Sequence, residues 1–167
     1  MEKGRIRLSK RDLFRMQSLW DKPPVIAGHD ETAAGLTRFL EMKPLAPPPV
    51  PRMTSALRSY QTAGFHWLWW LYENSLGGLL CDDMGLGKTY QIMALMVSVH
   101  ALKENDNPML VVCPTTVLSH WLVKIRDHAP ELKAAPYYGG SRDLNAVLQE
   151  SDVLITSYGI LLRDVER

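Results

Sequence analysis

The 167-residue chain contains only two cysteines, Cys81 and Cys113, and they form no C-x-x-C pair. That scarcity excludes a disulfide-built scaffold and a cysteine-rich metal site. Both thiols sit inside apolar runs, so both are expected to be buried and free in a reducing compartment. No apolar run approaches the 18 residues a membrane-spanning helix needs, so no membrane partner is expected. The opening residues are charged and no apolar stretch follows, which is not the pattern of a secretory signal. Charge of neither sign prevails, at a formal net of +1. No global basic field therefore advertises nucleic acid, although a balanced total can hide a local patch. The five histidines (His29, His66, His100, His120 and His128) show no close ligand spacing, so no zinc site is expected.

What is present is an ordinary globular composition, 46% hydrophobic and 22% charged, in a chain long enough to bury one core. Residues 1–43 carry two amphipathic patches, "RDLFRMQSLW" and "ETAAGLTRFLEM", each suited to a modest helix. The first residues lean basic (Lys3, Arg5, Arg7, Lys10, Arg11 and Arg15 against Glu2 and Asp12), which fits a solvated face or a phosphate-binding one. Five prolines in "KPLAPPPVPR" then predict an extended connector, set at residues 44–53, because proline fixes φ and removes a hydrogen-bond donor. The third region, residues 54–167, has neither internal repeats nor low-complexity tracts.

That region alternates two kinds of segment. Short apolar runs, "GGLLCD", "PMLVVC", "KAAPYY" and "DVLITS", read as strands, while "LRSYQTAGFHWLWWLYENS", "GKTYQIMALMVSVHALKE", "TVLSHWLVKIRDHA", "RDLNAVLQE" and "YGILLRDVE" read as helices. Strands without polar alternation, each followed by a helix, imply parallel βαβ units covered on both faces. The fold class is α/β, a parallel sheet with flanking helices. Phe65, Trp67, Trp69, Trp70 and Tyr72 crowd one helix on more than one face, which suggests burial on two sides. Met93 and Met96, at helical spacing, belong to the core.

"DDMGLGKT" joins the first expected strand to a long helix. The strict pattern G-x-x-x-x-G-K-[ST] wants glycine at position 82, where this chain has Asp82. What a phosphate requires is a turn of backbone N–H groups opening a helix N-terminus, and the run Asp83, Met84, Gly85, Leu86, Gly87 can supply it. Gly85 and Gly87 let the backbone bend tightly and approach an anion. Lys88 then reaches the β- and γ-phosphates, and the Thr89 hydroxyl is placed to ligate Mg²⁺. Lys88 and Thr89 are the candidate catalytic pair.

Together with its surroundings, this loop resembles motif I of the Swi/Snf-type helicase-like ATPases of superfamily 2, which commonly reads D-E-M-G-L-G-K-T. The resemblance runs over roughly residues 54–165. "LRSYQTAGFHWL" resembles the family's Q motif, which implies that Gln61 reads the adenine edge; its amide can pair with N6 and N7. "LVVCPTTVLSHW" resembles motif Ia, through Pro114, Thr115, Thr116 and Trp121. "VLITSYGILLRD" resembles motif Ib, through Thr156, Ser157 and Tyr158. In that family these two motifs contact the phosphates of one DNA strand, and the hydroxyls here suit that role. Helix N-capping explains the same Ser and Thr residues. Ser59 stands where the family commonly has proline, Asp83 where it has glutamate, and Lys124 where it often has an acid.

The resemblance implies a RecA-like P-loop lobe that uses ATP and Mg²⁺ and belongs to an enzyme translocating on double-stranded DNA. It also implies parts not found here: the D-E-x-H segment, and a second RecA-like lobe with arginine fingers. The chain is therefore expected to be a piece of a longer ATP hydrolase, binding nucleotide weakly and hydrolysing almost none alone. In the family's sheet the motif I strand joins the others through later strands, so an unpaired edge and self-association are expected. The N-terminal region resembles the lead-in of prokaryotic members, implying a cytoplasmic, nucleoid-associated enzyme; a eukaryotic member would be nuclear. A nucleotide-binding regulatory module without hydrolysis, or an interaction fragment working through residues 1–52, are the other readings.

Overall fold

The computed structural model describes residues 48–102, 107–140 and 142–165. The two helices expected within residues 1–43 lie outside them. Residues 48–53 carry neither helix nor strand, as their prolines require. They are packed nonetheless: Met53 lies against the core, and the fully buried Ser98 hydroxyl donates to the Pro49 carbonyl at 3.0 Å.

Five helices and three strands follow in the order α1 (Ser59–Glu73), α2 (Lys88–Leu102), β1 (Met109–Cys113), α3 (Thr115–His128), β2 (Ala134–Pro136), α4 (Leu144–Glu150), β3 (Val153–Ser157) and α5 (Tyr158–Asp164). The sheet has the order β1-β3-β2 and is parallel throughout, with Val111 opposite Ile155 and Ala135 opposite Leu154. Every residue of the central strand β3 is buried. Its side chains alternate between two cores, as strand geometry demands. Val153 and Ile155 meet Met93, Met96 and Val97 of α2 and Leu118 and Ile125 of α3, while Leu154 meets Tyr137 and Ile160, with Leu144 and Val147 alongside. The result is a helix–sheet–helix sandwich, the expected class.

α1 packs on the outer side of α2 and buries two aromatic groups. Phe65 and Trp69 close on Ala94, while Leu68, Trp70 and Leu71 close on Ile92 and Leu95. The helix stops in a left-handed turn at Ser75, φ +54°, where Leu76 N–H bonds back to the Leu71 carbonyl and Ser75 N–H to that of Tyr72.

Two expectations fail at one place. "GGLLCD", residues 77–82, forms no strand, because neither described neighbour of the sheet lies beside it to complete a ladder: β1 pairs with β3 alone. An apolar run supplies the composition of a strand, but the strand itself exists only as a pairing. For the same reason Cys81 is exposed instead of buried, whereas Cys113, on β1, is buried as expected. Among the described residues no helix is long and apolar enough to cross a membrane.

Candidate functional site

The loop from Asp82 to Gly87 leads directly into the N-terminus of α2. Gly85 and Gly87 both occupy the left-handed region, at φ +84° and +75°, where a side chain is disfavoured. Met84 at the tip is 96% exposed, so the loop is open to a ligand. Lys88 folds back over the head of the loop, its Nζ donating to the carbonyls of Asp82 (2.5 Å) and Asp83 (2.8 Å). Its charge meets main-chain oxygens there, and no carboxylate lies within ion-pair distance of it among the described residues. Thr89 is half-buried in the first turn of α2.

The loop is tied down at both ends. At the far end, Gln61 of α1 donates from Nε2 to the Leu86 carbonyl at 3.1 Å and accepts from Arg58 N–H at 2.9 Å through Oε1. Each end of the amide expected to read adenine makes one bond here, which leaves a second N–H on Nε2 and a second lone pair on Oε1 for a base. At the near end, the Asp82 carboxylate accepts from Gln91 Nε2 at 2.8 Å. The residue after Thr89 makes a third tie. The Tyr90 hydroxyl lies 3.2 Å from the Lys124 ammonium, which donates to it, and 3.1 Å from His128 Nε2. Lys124 also sits 5.1 Å from the centre of the Tyr90 ring. His128 Nδ1 in turn lies 3.3 Å from Ser55 Oγ. Lys124, which departs from the acid of the resemblance, therefore has its own partner.

Parallel strands bring their C-terminal ends to one edge, the usual crevice of an α/β sheet. There a cleft of about 380 Å³ is lined by Thr115 after β1, by Tyr138, Gly139, Gly140 and Arg142 after β2, and by Ser157, Gly159, Ile160 and Arg163 at the end of β3 and along α5. Pro114, Thr115 and Thr116 are exposed at the start of α3. Ser157 caps α5, accepting from Ile160 N–H at 3.4 Å. Two sequence-predicted strand-contact residues turn elsewhere. Thr156 is 1% exposed and its hydroxyl donates to the Tyr137 carbonyl at 2.8 Å, while Trp121 packs against the core.

Sequence reasoning missed Tyr138, Arg142 and Arg163. The signal was available in "YYGGSR": an arginine just after two glycines, leaving a parallel strand on the same edge as the other two. Arg142 is a structural residue. It forms a forked pair with Asp164, Nε to Oδ2 at 2.6 Å and Nη2 to Oδ1 at 2.9 Å, and Tyr137 donates to the same carboxylate at 2.9 Å. The hydrogen bond to Asp164 raises the Arg142 guanidinium above its already high range. Arg163 is exposed and lines the cleft, so it adds a positive charge to the cleft's wall.

The described residues contain no group of three or more His, Cys, Asp or Glu able to hold a metal. The Thr89 hydroxyl, in the first turn of α2, is the oxygen at the loop expected to meet a cation, and Mg²⁺ bound with a phosphate commonly takes few protein ligands.

Residues 60–167 match the model of the SNF2-related domain. Over 120 residues the chain is 39% identical to YwqA of Bacillus subtilis, covering 70% of this chain and 13% of that one. It is 38% identical over 132 residues to the TATA-binding protein-associated factor mot1 of Schizosaccharomyces pombe, covering 71% and 7%. Among solved structures, the Sulfolobus solfataricus SWI2/SNF2 ATPase core in complex with dsDNA superposes with a TM-score of 0.61 at 37% identity, over 74% of this chain and 25% of that one. The chain thus spans a small part of these relatives. With the open glycine loop before α2, the parallel sheet and the order of the motifs all in agreement, the chain belongs to the SNF2-related family of helicase-like ATPases.

Proposed function

We propose that this chain supplies the nucleotide-binding loop, and part of the DNA-strand contact, of an ATP-dependent double-stranded-DNA translocase or remodelling ATPase. The observation that carries the proposal is the loop itself: two left-handed glycines opening α2, and a lysine ammonium held, among the described residues, by carbonyls 82 and 83. A triphosphate offers that ammonium better acceptors than two neutral carbonyls, and the N-terminal N–H groups of α2 favour the same charge. Asp83, Met84, Gly85, Leu86 and Gly87 would wrap the phosphates, Lys88 would bind the β- and γ-oxygens, and Thr89 would ligate Mg²⁺. Gln61 would meet the adenine edge through its second N–H and its second oxygen lone pair.

In this reading residues 54–167 are a share of one RecA-like lobe, residues 44–53 the linker to it, and residues 1–43 a helical lead-in. Hydrolysis then needs groups supplied by the rest of a longer protein, including a second lobe that closes on the nucleotide. Bound Mg²⁺ would neutralise phosphate charge; the work of this chain is to hold and orient the polyphosphate. Strand contact falls to Thr115, Thr116, Ser157 and Arg163 around the cleft, acting on backbone phosphates and therefore without regard to base sequence. Such an enzyme works where the DNA is, on the nucleoid or in the nucleus.

Titration of a fluorescent DNA duplex with the full chain tests the strand-contact half. Anisotropy should report binding that weakens as salt rises and falls severalfold in Arg163→Ala, with Lys88→Ala unchanged. Binding indifferent to both salt and Arg163 would overturn it.

A further inference from the structure

The phosphate loop opens with an acid, and a carboxylate at the head of an anion-binding loop repels the ligand. Asp82 therefore needs a role other than ligand contact. Its main-chain carbonyl accepts from Lys88 Nζ, and its carboxylate accepts from Gln91 Nε2 at 2.8 Å. Gln91 lies one helical turn beyond Lys88 and is fully buried, at 0% exposure. Its other amide atom, Oε1, has no hydrogen-bond partner among the described residues. That oxygen faces α1 at Gly64, where an added Cβ would stand 1.9 Å from it.

Leaving a buried carbonyl oxygen without an N–H or O–H donor is costly, so something must hold it in place. The Asp82 carboxylate fixes which end of the amide faces the loop, because only Nε2 can donate. The bare Cα of Gly64 lets Oε1 settle against the α1 backbone, close enough for a weak C–H contact. Gln91 is thereby wedged between the loop and α1, and cannot turn without losing Asp82.

We propose that Asp82, Gln91 and Gly64 form a brace that positions Lys88 for the incoming phosphates, with Gly64 acting across α1 although it touches no ligand. This deepens the nucleotide-binding reading above and rests on it. Gln61 holds the far end of the loop and the brace holds the near end, while the tip between them stays open. A loop fixed in advance loses less freedom when the ligand arrives, and that difference appears as affinity.

The test is calorimetric titration of ATP with Mg²⁺ into the full chain and six variants, Lys88→Ala among them, each first shown folded by circular dichroism. Asp82→Asn keeps an acceptor for Gln91 and should bind within about threefold of the parent. Asp82→Ala carries the same charge as Asp82→Asn but has no acceptor, and should bind about tenfold more weakly than it. Gly64→Ala drives a methyl group into Gln91 Oε1 and should weaken binding about tenfold. Gln91→Ala should do the same, and Gly64→Ala with Gln91→Ala should be no weaker than Gln91→Ala alone, since alanine at position 91 leaves room for the new methyl. Additive losses, or parental affinity in Gly64→Ala and Gln91→Ala while Lys88→Ala abolishes binding, would overturn the brace and leave the nucleotide reading standing. A parent chain that binds no ATP, or binds it equally well with alanine at position 88, overturns both. If a core variant does not fold, the comparison of Asp82→Ala with Asp82→Asn decides, because position 82 is half-exposed and tolerates either change.

Discussion

Replacing Gly87 by alanine should cost more stability than the same change at Gly85, two positions earlier, and the structure says by how much. Both glycines are left-handed, at +84° and +75°, so each alanine bears a backbone penalty of about 1–2 kcal/mol. At Gly85 that is all, since an added Cβ meets nothing within 4 Å. At Gly87 the Cβ would come within 2.5 Å of Gln61 Nε2. The Gln61 side chain could swing aside, but it is 8% exposed and bonded at both ends. Moving it forfeits the bond to Leu86 and strains, without breaking, the one from Arg58, together about 1–2 kcal/mol. Gly87→Ala should therefore lose about 2–4 kcal/mol, one to two more than Gly85→Ala. Urea unfolding followed by tryptophan fluorescence resolves the gap, which amounts to about 0.5–1 M in midpoint at a slope of ~2 kcal/mol/M. Combining Gly87→Ala with Gln61→Ala should remove the extra penalty. Equal midpoints for the two glycine variants would refute the close packing of Gln61 on the loop.

Three further outcomes are expected. Tyr90→Phe keeps the ring against His128 but removes the hydroxyl shared by Lys124 and His128, and should lower stability by about 0.5–1.5 kcal/mol, seen as a melting point a few degrees lower. Ile155→Ala empties a fully buried position on the central strand and should cost about 2–5 kcal/mol by urea titration; a loss below that range would mean that β3 is not the middle of the core. Ellman's reagent should modify Cys81 rapidly in the native chain and reach Cys113 only on unfolding, since Cys113 is buried and burial pushes its thiol upward, away from the reactive thiolate.

The parts of this fold that were legible in sequence are those whose signal is local. β1 is an unbroken apolar run and β3 opens on one, and the helices α1, α2 and α3 each carry enough apolar residues at helical spacing to be placed within a few residues of their true ends. The tight turn ahead of α2 was legible because two closely spaced glycines before a lysine and a threonine mark a bend opening a helix start. Residues 77–82 show where local signal ends. Their composition is that of a strand, but pairing depends on a neighbour far away in sequence. Cys81 followed the same error. Long-range side-chain bonds were equally hidden: nothing local says that Ser98 holds Pro49, that Tyr90 supplies the partner Lys124 needs, or that Thr156 turns inward to Tyr137. Nor does anything local say that Gln91 holds the Asp82 carboxylate. The cleft residues beyond β2 were missed because that strand is three residues long and ends in proline, too weak a pattern to mark its exit as part of the site.

Residues 82–89 are proposed to bind the phosphates of a nucleotide, and isothermal titration of ATP with Mg²⁺ into the folded chain, beside Lys88→Ala, is the measurement that decides it. Saturable binding in the micromolar to millimolar range that disappears in the variant is the predicted result. A chain that is folded by circular dichroism and takes up no ATP, or takes it up equally well with alanine at position 88, would contradict the claim.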